Sequence, residues 1–149
     1  MIQRFYLDTS VIGGVFDNEF EVHSTILFEK IKLEQIKIVI SEVTENKLSK
    51  ARIEIREFFN TIPKSQIEYV EITQDAVHLA DAYIAEKVVG KTSRDDCLHI
   101  AIATISRVDI LVSWNFKHIV NIYRIRGYNS VNIKFGYPSL EIRSPKEII

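Results

Sequence analysis

Phe5-Tyr6-Leu7-Asp8-Thr9-Ser10 sets an apolar run directly before an aspartate and two hydroxyl residues. The apolar run suits a strand, and the polar trio suits the turn that leaves it, where Asp is favoured. Outward from it, four more runs read as strands: Ile36–Ile40, Ile67–Ile72, Ile110–Val112 and Val131–Phe135. Ile36–Ile40 and Ile110–Val112 are β-branched and apolar with little alternation, as in strands covered on both faces. Val131-Asn132-Ile133-Lys134-Phe135 alternates, which predicts a half-exposed edge strand. The segments between are helical in pattern. Leu98, Ala101, Ile102 and Ile105 follow one helix face, as do Val77, Ala80, Ile84 and Val88 after a Thr73 N-cap. Ser41 is placed to cap the helix after the second run, and Pro63 to end that helical region. Strands alternating with helices predict a single α/β domain over residues 1–149, with a mainly parallel sheet of about five strands flanked by helices. Ligands of such sheets bind outside the carboxyl ends of the strands, which puts Asp8 on the functional edge.

The bulk numbers agree with one soluble domain. The chain has 149 residues, 46% hydrophobic and 26% charged, enough for one core. Its single cysteine, Cys97, excludes an internal disulfide. Met1 to Tyr6 holds no signal-peptide stretch, and no apolar run suits a membrane helix. These features point to the cytoplasm. Net charge is −1, but from Arg107 onward seven basic residues face three acids, leaving the first 106 residues at −5. An acidic part for a cation and a basic part for phosphates would suit a metal-dependent nuclease, although surface charge also varies along chains for no such reason.

Two further stretches carry chemistry. Ser93-Arg94-Asp95-Asp96-Cys97-Leu98 opens an apolar helix with adjacent carboxylates. Ser93 and Asp96 have capping-box spacing, yet two acids exceed what one cap requires. Leu111-Val112-Ser113-Trp114-Asn115-Phe116 is a strand end with Ser113 and Asn115 free to bond water or phosphate, and Trp114 and Phe116 as packing residues. An ionised Asp8 followed by hydroxyls can hold a hard cation such as Mg²⁺. His23, His78, His99 and His118 lack paired zinc spacing; His99, three residues after Asp96, is placed to edge the site but reads first as a helix-surface residue. Gly13-Gly14 forms no phosphate loop, and no cofactor fingerprint is present. The second aspartate expected of haloacid-dehalogenase phosphatases is missing after Asp8.

In order and spacing, Leu7-Asp8-Thr9-Ser10-Val11, Asp96 followed by Ala101 and Ala103, and Ser113-Trp114-Asn115-Phe116 resemble the motifs of PIN domains of the VapC toxin type. The resemblance covers nearly the whole chain. It implies a parallel sheet sandwiched by helices, Mg²⁺- or Mn²⁺-dependent endoribonuclease activity on RNA, a cognate antitoxin protein and a homodimer. It also implies that Asp8 and Asp96 hold the metal, Ser10 supports them, and Asn115 fills a fourth, often acidic, place. The family's second carboxylate falls on Lys47 here. Glu45 lies two residues away, about 200° around a helix, and Glu42 lies five residues before. An irregular helix start would let either Glu42 or Glu45 substitute, and Glu45 is taken as the third metal ligand. Arg124, Arg126 and Lys134 are candidates to guide the RNA backbone. The rival reading is a catalytically impaired PIN scaffold that binds RNA or a partner protein, favoured by Lys47 and Asn115. A small-molecule enzyme on the same type of sheet is weaker.

Overall fold

A computed structural model describes residues 2–148. The chain opens with β1 (Gln3–Leu7), turns into the short α1 (Thr9–Gly13), then forms α2 (Glu21–Lys32) and β2 (Ile36–Ser41). It continues through α3 (Glu42–Ser49), α4 (Ile53–Asn60), β3 (Ile67–Val70), α5 (Gln74–Ala85) and α6 (Arg94–Ile105). β4 (Ile110–Val112), α7 (Ile122–Lys134) and β5 (Ile142–Arg143) complete it. The sheet runs β3-β2-β1-β4-β5 with every pairing parallel. The expected PIN-like α/β architecture is therefore present.

Alternation along each strand builds two cores. Tyr6, Val39, Leu111 and Ile142 face one side, where α5, α6 and α7 supply Leu79, Ile100, Ala101, Ala103 and Tyr128. Phe5, Leu7, Ile38, Ile40 and Val112 face the other, against Val11, Leu27, Phe28 and Phe59. Burial on both faces explains why the central runs show so little polar alternation. Ala101 and Ala103 point to nearly opposite sides of α6 and are both buried, because that helix is covered nearly all round, and small side chains permit close approach there.

One element is corrected. Val131–Phe135 is not a strand: Val131 to Lys134 form the last turn of α7. Burial follows Tyr128, Val131 and Asn132, the i, i+3, i+4 face of a helix, while Ile133 and Phe135 stay exposed. The fifth strand is Ile142–Arg143, too short to leave a periodic signal. Asn129 prepares it, donating from Nδ2 to the Leu140 carbonyl at 3.0 Å and accepting from the Leu140 N–H at 2.6 Å.

The strand order places the switch point at β1. From β1 the chain moves outward to β2 and β3, then crosses back to β4 and β5. The carboxyl ends of β1 and β4 therefore border the crevice where ligands of such sheets bind. Asp8 leaves one strand there and Ser113 the other.

Candidate active site

Asp8 is 5% exposed and wedged between those strand ends. Ser10 Oγ donates to its Oδ1 at 2.6 Å, and Ser113 Oγ donates to its Oδ2 at 2.5 Å. Each hydroxyl is itself fixed: Ser10 Oγ accepts the Trp114 N–H at 2.9 Å, and Ser113 Oγ accepts the Asn115 N–H at 2.9 Å. One carboxylate thus organises the turn after β4 through two hydroxyls. Ser113, expected to meet water or phosphate, is fully buried and committed to Asp8. Trp114 stacks on Phe20 with ring centroids 4.3 Å apart and donates from Nε1 to Ser24 Oγ at 2.8 Å. Gly14 makes room for that contact, since a Cβ there would stand 2.5 Å from Ser24 Oγ and 2.8 Å from Trp114 Nε1. Phe116, read as packing, is instead half exposed.

The second acid comes from the first turn of α6. Asn115 Nδ2 donates to Asp96 Oδ1 at 3.3 Å while Asn115 Oδ1 accepts the His118 N–H at 3.0 Å. Asn115 therefore couples Asp96 to the β4 turn that Asp8 anchors. His118 sits at the same place: a positive charge on its ring favours ionised Asp96. Its Nδ1 is buried with no hydrogen-bond partner among the described residues. Nothing in the sequence singles out His118, because the acid it faces, Asp96, comes from a different element.

Lys47 and Glu45 divide as helical geometry requires. Lys47 Nζ approaches Asp95 Oδ2 at 3.6 Å, and its charge favours ionised Asp96. Glu45 lies on the other face of α3, in a cleft with Arg56 and Tyr69. Glu45, expected as the third metal ligand, lines that cleft and not the one where Lys47 meets Asp95. Glu42, in the first turn of α3, is exposed. Among the described residues, no group of three or more His, Cys, Asp or Glu side chains is gathered to hold a metal ion.

The basic residues assigned to RNA also separate. Arg126 is exposed near the start of α7, while Arg124 Nη1 donates to the Val88 carbonyl. Lys134 ends that thirteen-residue helix and pairs with Glu86 at 2.9 Å. At about 1.5 Å per residue it stands roughly 18 Å along the axis from the helix start, toward the opposite edge of the sheet. Lys134 therefore lies at the end of α7 remote from the residues that follow β4.

Beneath the acids lies a buried polar chain. The Tyr6 hydroxyl is 2.7 Å from Ser41 Oγ and 2.6 Å from His99 Nδ1. His99, expected on the surface, is 2% exposed, and burial holds its pKa down to about 3, so the ring is neutral. Ser41 begins α3 by position, but its hydroxyl serves Tyr6 rather than capping the helix. Ser93 likewise precedes α6 without capping it, so the capping box expected with Asp96 does not form. Asp96 is thus left to the site. Thr73 does cap α5, accepting the Ala76 N–H at 3.1 Å.

Burial raises the pKa of Asp8, opposed by the Ser10 and Ser113 hydroxyls and reinforced by the charge of Asp96. Burial also raises Asp96, opposed by His118, Lys47 and Asn115. A carboxyl whose folded pKa exceeds its unfolded one binds its proton earlier in the folded state. It therefore adds stability as pH falls from neutral into the ordinary aspartate range. His99 acts oppositely, losing stability below its unfolded value of 6.5. Comparing wild type with Asp8→Asn cancels that background. The melting-temperature advantage of Asp8→Asn without divalent cations should be largest near pH 7–8 and shrink toward pH 4. An advantage that grew on acidification would mean that the aspartate is not held against its charge.

No protein-family model matches the sequence, and no curated protein matches it. Solved structures do share its architecture. A VapBC2 structure from Rickettsia felis, bound to a promoter DNA fragment, matches with TM-score 0.58 and 14% identity over 95% of this chain and 98% of that one. A toxin–antitoxin complex from Klebsiella pneumoniae matches with TM-score 0.57 and 20% identity, covering 78% and 91%. FitAcB from Neisseria gonorrhoeae matches with TM-score 0.59 and 10% identity, covering 97% and 99%. At these identities the likeness shows the fold, which is VapC-like and PIN-like.

Proposed function

We propose that this chain is a divalent-metal-dependent endoribonuclease acting on single-stranded RNA, the toxin of a toxin–antitoxin pair. The observation that carries the reading is the joining of Asp8 and Asp96 across the β1–β4 switch point through Ser113 and Asn115. The description of the Klebsiella structure as a toxin–antitoxin complex supports the biological setting, including an antitoxin partner.

The acids fit one hard cation. Mg²⁺ is commonly held by one or two carboxylates and keeps several waters. Burial works against both negative charges, and a cation would relieve that cost. Asp8 and Asp96 would hold it. When bound, it supplies Lewis-acid stabilisation of phosphate charge and a more acidic water. Ser10 and Ser113 fix the Asp8 carboxylate, and Asn115 orients Asp96. Lys47 brings a positive charge toward Asp96 where a third acid would have brought a negative one. Arg126 remains a candidate backbone contact. The direct test is incubation of purified protein with structured and unstructured RNA in Mn²⁺, Mg²⁺ or EDTA. Cleavage restricted to unstructured RNA and stopped by EDTA is the expected result.

The second reading, a scaffold that binds without cutting, is favoured by Lys47 beside Asp95 and within electrostatic reach of Asp96. Metal response separates the two. A site that binds Mn²⁺ should gain about 2.7 kcal/mol of stability at one hundred times its Kd. A pocket already neutralised by lysine should gain almost nothing. Lys47→Glu should tighten Mn²⁺ binding by at least about tenfold, because an ammonium gives way to a carboxylate near the cation. Unchanged affinity in titration calorimetry would put Lys47 outside the electrostatic reach of the metal.

A further inference from the structure

Beside the acids, between α3 and α6, lies a cleft of about 430 Å³. Asn46 and Lys47 line it from α3, Lys50 from the cap that ends α3, and Asp95 from α6, over an apolar floor of Val43 and Leu98. Val43, Asn46, Lys47 and Lys50 have the i, i+3, i+4, i+7 spacing that puts them on one helix face. We propose that this cleft binds a backbone phosphate of the RNA strand next to the scissile one. Lys47 and Lys50 are its contacts, and Asp95 pairs with Lys47 while no phosphate is bound. The inference rests on the ribonuclease reading and adds where the strand lies.

Stability alone does not account for the arrangement. The Lys47–Asp95 pair is about half exposed, and such pairs contribute only about 0–1 kcal/mol. Two lysines three apart on one face repel, and the single Asp95 leaves the cleft with one surplus positive charge. A divalent cation would be repelled from it and an anion attracted. Lysine binds phosphate as a point charge, and the Asn46 amide adds N–H donors. The surplus lies beside an otherwise acidic site, where an RNA strand entering toward Asp8 and Asp96 would meet repulsion. A phosphate held here supplies attraction next to the acids.

The test measures binding of a labelled single-stranded RNA dodecamer to the full chain in EDTA, so cleavage does not enter. One phosphate contact contributes about 0.7 to the slope of log affinity against log salt for single strands. Lys47→Met and Lys50→Met should each lower the slope by about that amount, and weaken binding about fivefold at 0.1 M salt. Asp95→Asn should tighten binding, because it removes the one negative charge that opposes phosphate in the cleft. Lys134→Met, at the far end of α7, should change nothing. Lys47→Met within twofold of wild type would overturn the proposal, as would an equal loss in Lys134→Met. A parallel Mn²⁺ cleavage assay separates the two readings. Cleavage with unchanged slopes removes the cleft alone, whereas lowered slopes without cleavage keep the RNA contact and remove the reaction.

Discussion

Asp96→Asn is expected to lower Mn²⁺-dependent RNA cleavage by about 10²–10³-fold, the usual cost of losing one preorganised charge-stabilising group. The fold should survive, because Asp96 is only partly buried and its hydrogen bond to Asn115 can be remade by an amide oxygen. Asp8→Asn should lose as much activity by a harsher route. Its amide keeps one acceptor, but its –NH₂ faces a hydroxyl that now donates to Asp8, so Ser10 or Ser113 must turn its hydrogen aside and accept instead. Circular dichroism on both variants, with initial rates in Mn²⁺ and EDTA, separates lost chemistry from lost structure. Undiminished cleavage in either folded variant would assign the activity to a contaminant or to another site.

Asn132→Ala should be the most destabilising of these substitutions. Asn132 is fully buried, accepts from the Tyr83 hydroxyl, and donates to Thr104 Oγ1 at 3.2 Å and Asn129 Oδ1 at 3.3 Å. Truncation leaves the Tyr83 hydroxyl in the core without its acceptor, at about 1–3 kcal/mol, and adds a cavity. A total of about 3–4 kcal/mol is expected, or roughly 10 °C in melting temperature for a domain of this size. Combining Asn132→Leu with Tyr83→Phe should recover much of that loss, since the pair is then removed together. A shift below about 1 kcal/mol for Asn132→Ala would mean that this network does not anchor α7.

The same residue shows where the sequence misleads. In a strand over Val131–Phe135, Asn132 would face solvent and its loss would be neutral. Alternation over five residues is a local signal, but what buries Asn132 is a distant pair, Tyr83 and Thr104. His99 was misjudged for a similar reason: its partner Tyr6 lies 93 residues away. The central strands and the Asp8 edge were legible because burial on both faces leaves apolar runs, and topology then fixes where they end. Asp96 and Asn115 were legible only as members of a motif. Lys47 was legible as a departure, and its pairing with Asp95 needed the packing of α3 on α6. His118 left no signal at all.

The 105 residues that separate Ser113 from Asp8 also set a clock. A ribosome extending the chain at about 5–20 residues per second needs on the order of 5–20 s to pass from one to the other. Throughout that interval the aspartate lacks the hydroxyl and the turn that hold its far oxygen. The pairing of β1 with β4 is equally non-local, and such contacts form late in folding. A nascent chain therefore carries the acids before it carries the site. Any nuclease activity the site supports switches on only once Ser113 and the turn after β4 have been made and folded back onto Asp8.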